Sequence, residues 1–436
     1  MKTTAKLMAL TVTVAAILSA FCACTPGKKP NSETTKQGKD QSVSAFVPAL
    51  DTTGEVTIDV ASFFGNFEAL DQVINHFNTF YPNVTVSYES YNNTNSDSFL
   101  KANPSIDIFM TSNANGYPTE NCVDLLEAGV DVSAATETVI EGNKWKGTLY
   151  SLPMSLTLKG LDVNKTLLAE EGLEVLQTWP EFLAVLESLK QKGYTPIQGP
   201  DSAVSTLVYN MGMTMLNDDP ELYKAVEAGD KTGAAALLNV FERLETLKSN
   251  GYFNTEVDAA YPEDNYDSAI LRFFEGKVPF WVCDTEKVSG MKKRESKSET
   301  FTASPFEYEF MFAPLGENGA YAYIEPWYGF AVNKDSDVKD YAIEFLRFMA
   351  REEELNTLAS VKGVPSIAKA SADSRYTGLA ATKTELALSS NGSVPTYYGT
   401  YLIQAAEELI SGEQPDSEGA LDYFLTKCLA SSEENG

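Results

Sequence analysis

Basic residues are scarce in this chain: 33 Lys and Arg stand against 61 Asp and Glu, for a formal net charge of −28. Nucleic-acid binding relies on clustered Lys and Arg, so we expect no nucleic-acid partner. Histidine is nearly absent, with His76 as the single one. This excludes metal sites built from several histidines and leaves at most one histidine-based catalytic triad. We therefore expect no metal site and no cofactor.

Cysteine is also rare, with five residues in 436. Beyond the N-terminal segment lie Cys122, Cys283 and Cys428, an odd number at wide spacing. One disulfide among these three is possible, but the spacing implies none. Cys428 shares a helical apolar stripe with Leu421 and Phe424, which predicts a small core residue rather than a reactive thiol.

A long apolar run occurs only near the N-terminus. Lys2 and Lys6 begin a segment whose residues 7–20 are apolar, a pattern typical of an export signal and short for a membrane span. Ala23 followed by Cys24 resembles the site at which bacterial lipoproteins are cleaved and lipidated. We predict a signal peptide at 1–23 and lipidation of Cys24. An ordinary cleaved signal followed by a free secreted protein is the alternative.

Residues 24–53 combine the predicted lipid anchor with a polar stretch that has few large apolar side chains. Such a composition cannot bury a core and predicts a flexible tether. The lipid would then anchor the protein in the cell envelope, on the outer face of the cytoplasmic membrane. The tether would hold the globular body at a distance from that surface. No later segment is long and apolar enough to cross a bilayer.

The remaining chain has the composition of a folded protein, with 43% hydrophobic and 11% aromatic residues over the full length. Its length allows two domains. Strand-like alternation at 55–61, 83–88 and 106–110 is interrupted by helical spacing at 70–77. This order predicts an α/β architecture with mainly parallel pairing.

Later segments continue the alternation. Thr178 to Glu181 has the form of a capping box, which predicts a helix that ends at Gly193. Further helices are predicted at 233–249, 265–275, 337–351, 397–410 and 417–429. Strands are predicted at 278–283 and 308–314, and within 321–332 as two short strands around Pro326.

Short segments in a fixed order give the chain a family resemblance. They are residues 63–70 with 81–84, 106–109, 150–153 with 163–165, 178–182, 192–197, 274–277, 328–332 and 362–365. Their order and spacing resemble the extracellular solute-binding proteins of ABC importers, in the carbohydrate-type family that includes maltose-binding protein. The resemblance covers nearly the whole chain beyond the tether.

The resemblance implies a two-lobe periplasmic-binding-protein fold of type II. The N-terminal lobe would comprise 54–160 and 316–358, and the C-terminal lobe 161–315 and 359–430. The ligand would lie between the lobes, and hinge closure around it would give the closed form that the membrane permease recognises. The protein is expected to be a monomer. The implied ligand is a saccharide, bound without catalysis.

One departure from the family pattern affects the site. Where the family has Gly-x-Trp after an apolar strand, this chain has Asp284 and Glu286. A stacking Trp cannot be transferred to this position, and the two carboxylates offer polar recognition instead. Trp327, beside Pro326 and Gly329, is then our candidate for the stacking ring, with lobe packing as its alternative.

Because ligands in open α/β sheets lie at the carboxyl ends of strands, the loops after strands predict the site. Aromatic faces and polar groups together suit a sugar. The predicted ligand-binding residues are Phe64, Asn66, Glu68, Asn113, Tyr117, Ser155, Asp284, Glu286, Trp327 and Tyr328.

Several residues favour a structural role instead. Trp281 and Trp179 are expected in the core, and Trp145 at a surface turn. His76 is expected to be solvated, and the charged run 351–354 to form a solvated helix end.

Two other functions remain open. Asp284 and Glu286 are the kind of carboxylate pair that a glycan hydrolase uses, although the chain lacks the regular repeat of a (β/α) barrel. The same binding fold could also hold a peptide, a polyamine or another small solute.

Overall fold

The computed structural model describes residues 46–435 apart from 65–66, 92–95, 113–120, 175–176, 200, 254–265, 370–383, 389–393 and 396. The predicted signal peptide and Cys24 lie outside this range, as do the predicted site residues Asn66, Asn113 and Tyr117. Within the described range, none of the helices combines the length and apolar character needed to cross a membrane.

Strands and helices alternate along the described chain. The strands are β1 Val56–Ser62, β2 Val84–Ser90, β3 Ile108–Ser112, β4 Leu152–Pro153, β5 Leu156–Thr157, β6 Lys159–Asn164, β7 Ile197–Gln198, β8 Phe280–Asp284, β9 Tyr308–Met311, β10 Ala320–Pro326, β11 Tyr328–Val332 and β12 Thr384–Leu388.

The α-helices are α1 Glu68–Phe77, α2 Ser96–Ala102, α3 Glu137–Gly142, α4 Lys165–Glu170, α5 Trp179–Gln191, α6 Asp201–Val204, α7 Leu207–Asp218, α8 Pro220–Glu227, α9 Leu238–Ser249, α10 Tyr266–Phe273, α11 Thr285–Glu295, α12 Glu299–Ala303, α13 Lys339–Met349, α14 Glu352–Lys362, α15 Tyr397–Ser411 and α16 Ser417–Asn435.

The first sheet has the strand order β2-β1-β3-β11-β4. Strand β1 pairs in parallel with β2 and β3, whereas β11 pairs antiparallel with β3 and β4. The alternation along β1 buries Ile58 and Val60, and the apolar stripe of α1 buries Leu70, Val73 and Phe77 in the same core. Helices α13 and α14 pack against α1, so α14 belongs with this sheet.

The second sheet has the order β7-β8-β6-β9, with β6 antiparallel to both of its neighbours. Helix α11 begins directly at the end of β8. A layer of helices formed by α7, α9, α15 and α16 packs together beside this sheet. This helical layer and the sheet share a second core cluster, in which Trp179 is buried.

A third, small sheet joins the crossings between the two larger ones, in the order β12-β10-β5. Strand β10 pairs antiparallel with β5 through Glu325 with Thr157 and Pro326 with Leu156. Strand β5 leads into β6 of the second sheet, and β10 leads into β11 of the first. Pairing in the described sheets is therefore mixed, and the prediction of mainly parallel pairing was wrong, because the strands near the crossings pair antiparallel.

The three cysteines of the described chain are buried far apart in the packing. Cys122, Cys283 and Cys428 lie in three different core clusters. No disulfide joins these three residues. The prediction that Cys428 is a core residue is confirmed.

Residues 46–50, at the end of the predicted tether, belong to the folded body. Phe46 is buried, with its ring 5.0 Å from that of Phe348. The Arg347 guanidinium lies 4.5 Å from the centre of the Phe46 ring. The backbone N–H of Ala49 donates to the Tyr81 hydroxyl at 2.9 Å. These contacts attach the chain to α13 before β1 begins.

Two polar residues lie elsewhere than the sequence suggested. His76, expected to be solvated, has a side chain that is 35% exposed, with Nδ1 lying 2.8 Å from Glu354 Oε1. Glu354, expected at a solvated helix end, is fully buried. Both differences have one cause: α14 packs along α1, and local sequence patterns do not reveal such a tertiary contact.

Candidate functional site

A cavity of about 350 Å³ lies between the start of α1 and helix α11. Helix α1 belongs to the first sheet's layer, whereas α11 follows β8 of the second sheet, so residues from both parts of the molecule line it. The lining residues are Phe64, Phe67, Glu68, Ala69, Glu286, Ser289, Gly290, Lys293, Arg294, Trp327, Val361 and Lys362.

Two half-buried aromatic rings form one wall of the cavity. The ring centres of Phe64 and Trp327 lie 6.1 Å apart at an interplanar angle of 73°. Behind them, Phe67 lies 4.9 Å and Tyr328 5.7 Å from Phe64. These edge contacts fix the orientation of the two front rings, both of which line the cavity.

Trp327 is held by the crossing strands. It stands between the last residue of β10 and the first of β11, and its backbone N–H donates to the Ser155 carbonyl at 2.8 Å. Nearby, a Cβ on Gly329 would lie 2.5 Å from the Leu152 carbonyl oxygen. Glycine therefore lets β11 approach β4 closely two residues after Trp327.

An ion pair crosses the cavity from α1 to α11. Lys293 Nζ lies 3.2 Å from Glu68 Oε2, and the two side chains are 63% and 54% exposed. Pairs this exposed stabilise proteins by about 0 to 1 kcal/mol. Glu68 also lies in the first turn of α1, where the helix dipole favours a carboxylate. The pair joins the two sides of the cavity without fixing them strongly.

Arg294 is held at the rim by α10. Its Nε donates to Asp267 Oδ1 at 2.9 Å, and Lys297 Nζ donates to Asp267 Oδ2 at 2.9 Å. The hydrogen bonds from Lys297 and Arg294 hold the pKa of Asp267 below its usual value. The Arg294 charge is therefore engaged by a neighbour outside the cavity.

Asp284 and Glu286 have different surroundings. Asp284 is the N-cap of α11: its Oδ1 accepts from the Lys287 N–H at 2.9 Å, and its Oδ2 lies 3.2 Å from Lys287 Nζ. Glu286 stands in the first turn of α11 and lines the cavity. Burial raises the pKa of Glu286, and the charge of Asp284 adds to this effect.

Lys362 brings a cation into the cavity. It is the last residue of α14, which ends at Gly363 with a φ of 80°, a conformation that glycine adopts without strain. Its Nζ lies 3.9 Å from the ring centre of Phe64 and 5.6 Å from that of Trp327. Within the described chain this ammonium makes no hydrogen bond and no ion pair. Burial lowers its pKa, although Glu286 opposes the shift.

The structure brings four of the predicted site residues together in the cavity: Phe64, Glu68, Glu286 and Trp327. The other described ones lie next to it in supporting positions. Tyr328 is buried behind the aromatic wall, Ser155 is buried and contributes its carbonyl to Trp327, and Asp284 caps α11.

Sequence reasoning missed the three cations of the cavity, Lys293, Arg294 and Lys362. Lys362 belongs to the segment 362–365, which carries part of the family resemblance, yet that segment does not show which helix face meets the first sheet. Lys293 and Arg294 lie on α11, a helix that was not predicted because residues 284–286 were considered only as a segment that follows a strand. A helix beginning at an Asp cap was the available signal.

One group of potential metal ligands occurs in the described chain, and it lies outside the cavity lining. It consists of His76, Glu353 and Glu354. The Arg351 guanidinium already contacts both carboxylates, at 3.5 Å from Glu353 and 3.4 Å from Glu354. The group is therefore an ion-pair network around a buried carboxylate.

The cavity can bind a compound that has both apolar faces and hydroxyl groups. Phe64 and Trp327 offer flat apolar surfaces, and Glu68 and Glu286 offer hydrogen-bond acceptors beside them. A pocket of this kind orients its ligand through a few polar groups while the rings bury its apolar surface.

Comparison with known proteins assigns the fold and the family. A family model described as bacterial extracellular solute-binding protein matches residues 72–384. The Multiple sugar-binding protein of Streptococcus mutans is 42% identical over 48 residues, which are 11% of this chain and 11% of that protein. The local match thus spans a small part of that relative.

Solved structures match over nearly their whole length. The sugar-binding protein MalE of Xanthomonas citri superposes with a TM-score of 0.68 and 14% identity, over 87% of this chain and 98% of that one. The binding protein MsmE of Bacillus subtilis, in an open conformation, gives a TM-score of 0.65 and 16% identity, over 88% and 99%. At these identities the likeness shows the two-lobe α/β fold and no more.

Proposed function

The chain belongs to the family of bacterial extracellular solute-binding proteins, and from this premise we propose that it captures a saccharide and delivers it to an ABC permease. The family is one of binding proteins, so the chain is a receptor and not an enzyme. The names of two similar proteins, from Streptococcus mutans and Xanthomonas citri, describe sugar binding and support a saccharide as the solute.

One observation carries the proposal: aromatic faces and carboxylates meet in a single cavity lined from both sheets. Phe64 and Trp327 stand beside Glu68 and Glu286. A sugar stacks its CH faces on such rings, and its hydroxyl groups donate hydrogen bonds to such carboxylates. Contacts to both sides of a cleft favour its closed form, which is the form that a permease would select.

The proposed lobes are 54–160 with 316–358 and 161–315 with 359–430. The division of the large sheets, with β5 and β10 between them, supports this arrangement. The packing of α14 on α1 favours extending the N-terminal lobe to Lys362. We place the later crossing just after that residue.

We also propose that the receptor is a monomer tethered to the outer face of the cytoplasmic membrane through a lipid on Cys24. The family's extracellular description supports a location outside the cytoplasm. Membrane fractionation of cells carrying Cys24→Ala tests the anchor, because the variant should be released or left unprocessed. Acylated, membrane-bound variant protein would contradict the choice of cysteine.

The cavity weighs against the hydrolase interpretation. A glycosidase needs two carboxyl groups facing the same bond, and Asp284 instead caps α11 and contacts Lys287. A peptide or polyamine remains the alternative solute within the same fold.

The test is a thermal-shift screen against neutral and acidic oligosaccharides, followed by calorimetry. A ligand that binds the folded state alone raises the melting temperature. We expect one saccharide per chain at a dissociation constant of about 1 μM, or roughly 8 kcal/mol. Steady product formation that Glu286→Gln abolishes would favour the hydrolase.

Trp327→Ala tests the wall directly. We expect its affinity for the identified saccharide to fall by about 1 to 3 kcal/mol while the unliganded melting temperature changes little. The matched control is Trp281→Ala, since Trp281 is 6% exposed and stacks on Phe273 in the core. That variant should lose about 3 to 5 kcal/mol of folding stability. A similar stability loss in Trp327→Ala with intact affinity would assign Trp327 to packing.

A further inference from the structure

The net charge of the side chains that line the cavity has the opposite sign to the net charge of the whole protein. Three cations and two carboxylates line it, so positive charge exceeds negative charge by one. The whole chain carries a formal net charge of −28. Distant surface charges are screened by salt within about 10 Å, whereas lining charges act directly on a bound molecule. The lining therefore favours an anionic group on the ligand.

The three cations differ in how they are neutralised. Lys293 pairs with Glu68 across the cavity, and Arg294 pairs with Asp267 at its rim. Lys362 has no hydrogen-bond acceptor and no ion-pair partner within the described chain. Lys362 is therefore the one lining cation without a direct partner in the described chain, and Glu286 acts on it only through longer-range electrostatic attraction.

The position of Lys362 makes it accessible to a sugar on the aromatic wall. Its ammonium lies over the face of Phe64, at 3.9 Å from the ring centre, and near the Trp327 ring. Ring faces attract a cation but satisfy none of its N–H donors. Partial burial without an acceptor is unfavourable for an ammonium, and an anionic acceptor on a ligand would relieve that cost.

We propose that the bound saccharide carries a carboxylate, as a uronic acid unit does, and that Lys362 selects it through a charge-assisted hydrogen bond. This inference rests on the proposed function, because it assumes that the solute is a saccharide. A carboxylate carries one negative charge, so Glu68 and Glu286 repel it less than they would repel a phosphate dianion. In the complex the sugar face takes the place of the Lys362 side chain on Phe64.

The experiment measures binding of matched saccharide pairs by calorimetry. The probes are cellobiose with cellobiouronic acid, which differ by one carboxylate, and galactobiose with digalacturonate, which differ by two. We expect the best acidic member to bind at least about tenfold more tightly than its neutral partner, a typical gain for one hydrogen bond to a charged group. That preference should shrink as salt concentration rises.

Variants assign the preference to one side chain. Lys362→Met keeps the alkyl contact with Phe64 and removes the ammonium, so the acidic preference should fall to within about twofold of parity. Lys362→Arg keeps the charge and should retain most of the preference. Lys224→Met removes the same charge from an exposed position on α8 and should leave the preference unchanged. Melting temperatures confirm that each variant is folded.

The outcomes separate this inference from the proposed function. Equal or tighter binding of the neutral members overturns the inference and leaves the saccharide receptor intact. An acidic preference that survives in folded Lys362→Met overturns the assignment to Lys362. Absence of binding to every neutral and acidic probe contradicts the saccharide receptor itself, and the inference fails with it.

Discussion

Glu344 and Asp162 are carboxylates buried to nearly the same degree, 4% and 0% exposed, yet their pKa values move in opposite directions. Around Glu344, burial raises the pKa, but hydrogen bonds from Arg347, the Tyr81 hydroxyl and the Ala49 N–H outweigh it, and the pKa lies below the usual value. Burial and the Glu344 carboxylate raise the pKa of Tyr81 to about 12, so its hydroxyl remains a donor.

Asp162 has almost none of this support. It lies on β6, where burial raises its pKa to about 7 against the smaller, opposing effect of the Cys283 thiol 3.6 Å away. Its Oδ1 has no hydrogen-bond partner within the described chain. The hydrogen-bond donors around a buried carboxylate, rather than its degree of burial, therefore decide its charge. Glu344 attaches residues 46–50 to the body, whereas Asp162 stands on a strand that leaves the crossing.

The largest expected effect comes from removing the satisfied carboxylate. Glu344→Ala leaves Arg347 and the Tyr81 hydroxyl without their acceptor, and the free energy of unfolding should fall by about 3 to 5 kcal/mol. Denaturant titration at neutral pH measures this loss. Glu353→Ala, which removes a 46% exposed carboxylate paired with Arg351, should cost less than about 1 kcal/mol. Equal losses in the two variants would contradict the comparison.

Asp162→Asn should change the free energy of unfolding in the opposite direction to Glu344→Ala. The folded pKa of Asp162 is raised from 3.8 to about 7, so its contribution to stability is fully present below about pH 4 and is lost as pH rises through 7. The Asn variant removes this loss and should be more stable than the wild type at pH 8, on the order of 2 to 4 kcal/mol. At pH 4 the two proteins should differ little.

Unfolding free energies measured from pH 4 to 8 provide the check on Asp162. We expect the unfolding free energy of the wild type to decline between about pH 4 and 7, and that of Asp162→Asn to lack this decline. Curves of the same shape for the two proteins would show that Asp162 is ionised and solvated in the folded protein.

Lys362→Met gives the smallest expected effect on the unliganded protein. Arg347 has two carboxylate oxygens as partners, whereas Lys362 has aromatic faces alone within the described chain. Because methionine keeps the apolar contacts, unfolding free energy should change by less than about 1 kcal/mol. A loss above about 2 kcal/mol in denaturant titration would place Lys362 among the structural charges.

Local patterns predicted much of the fold. The strands β10 and β11 around Pro326 were predicted, because proline interrupts a run of aromatic and apolar residues at a strand edge. The helix α5 has Thr178 as its N-cap, as the capping box indicated, with the Thr178 N–H donating to Glu181 Oε2 at 3.1 Å. Family resemblance added the two-lobe arrangement, which no local pattern contains.

What escaped prediction depended on contacts between distant segments. Helix α7 was missed because nearly all of its residues are buried, so it has no polar face to mark its period. The aromatic wall was predicted through Phe64 and Trp327, since large rings after strands are visible in the sequence. The position of Lys362 could not be predicted, because it follows from the packing of α14 on α1.

The pairing of β5 with β10 limits how the proposed closure can occur. Glu325 pairs with Thr157 and Pro326 with Leu156, so two crossings of the chain share one hydrogen-bonded ribbon. Neither crossing can slide without breaking those bonds, which leaves bending of the ribbon as the main degree of freedom. Trp327 follows directly on this ribbon and must turn with it. The fluorescence of Trp327 would thus change with the angle between the lobes and would provide an intrinsic measure of closure.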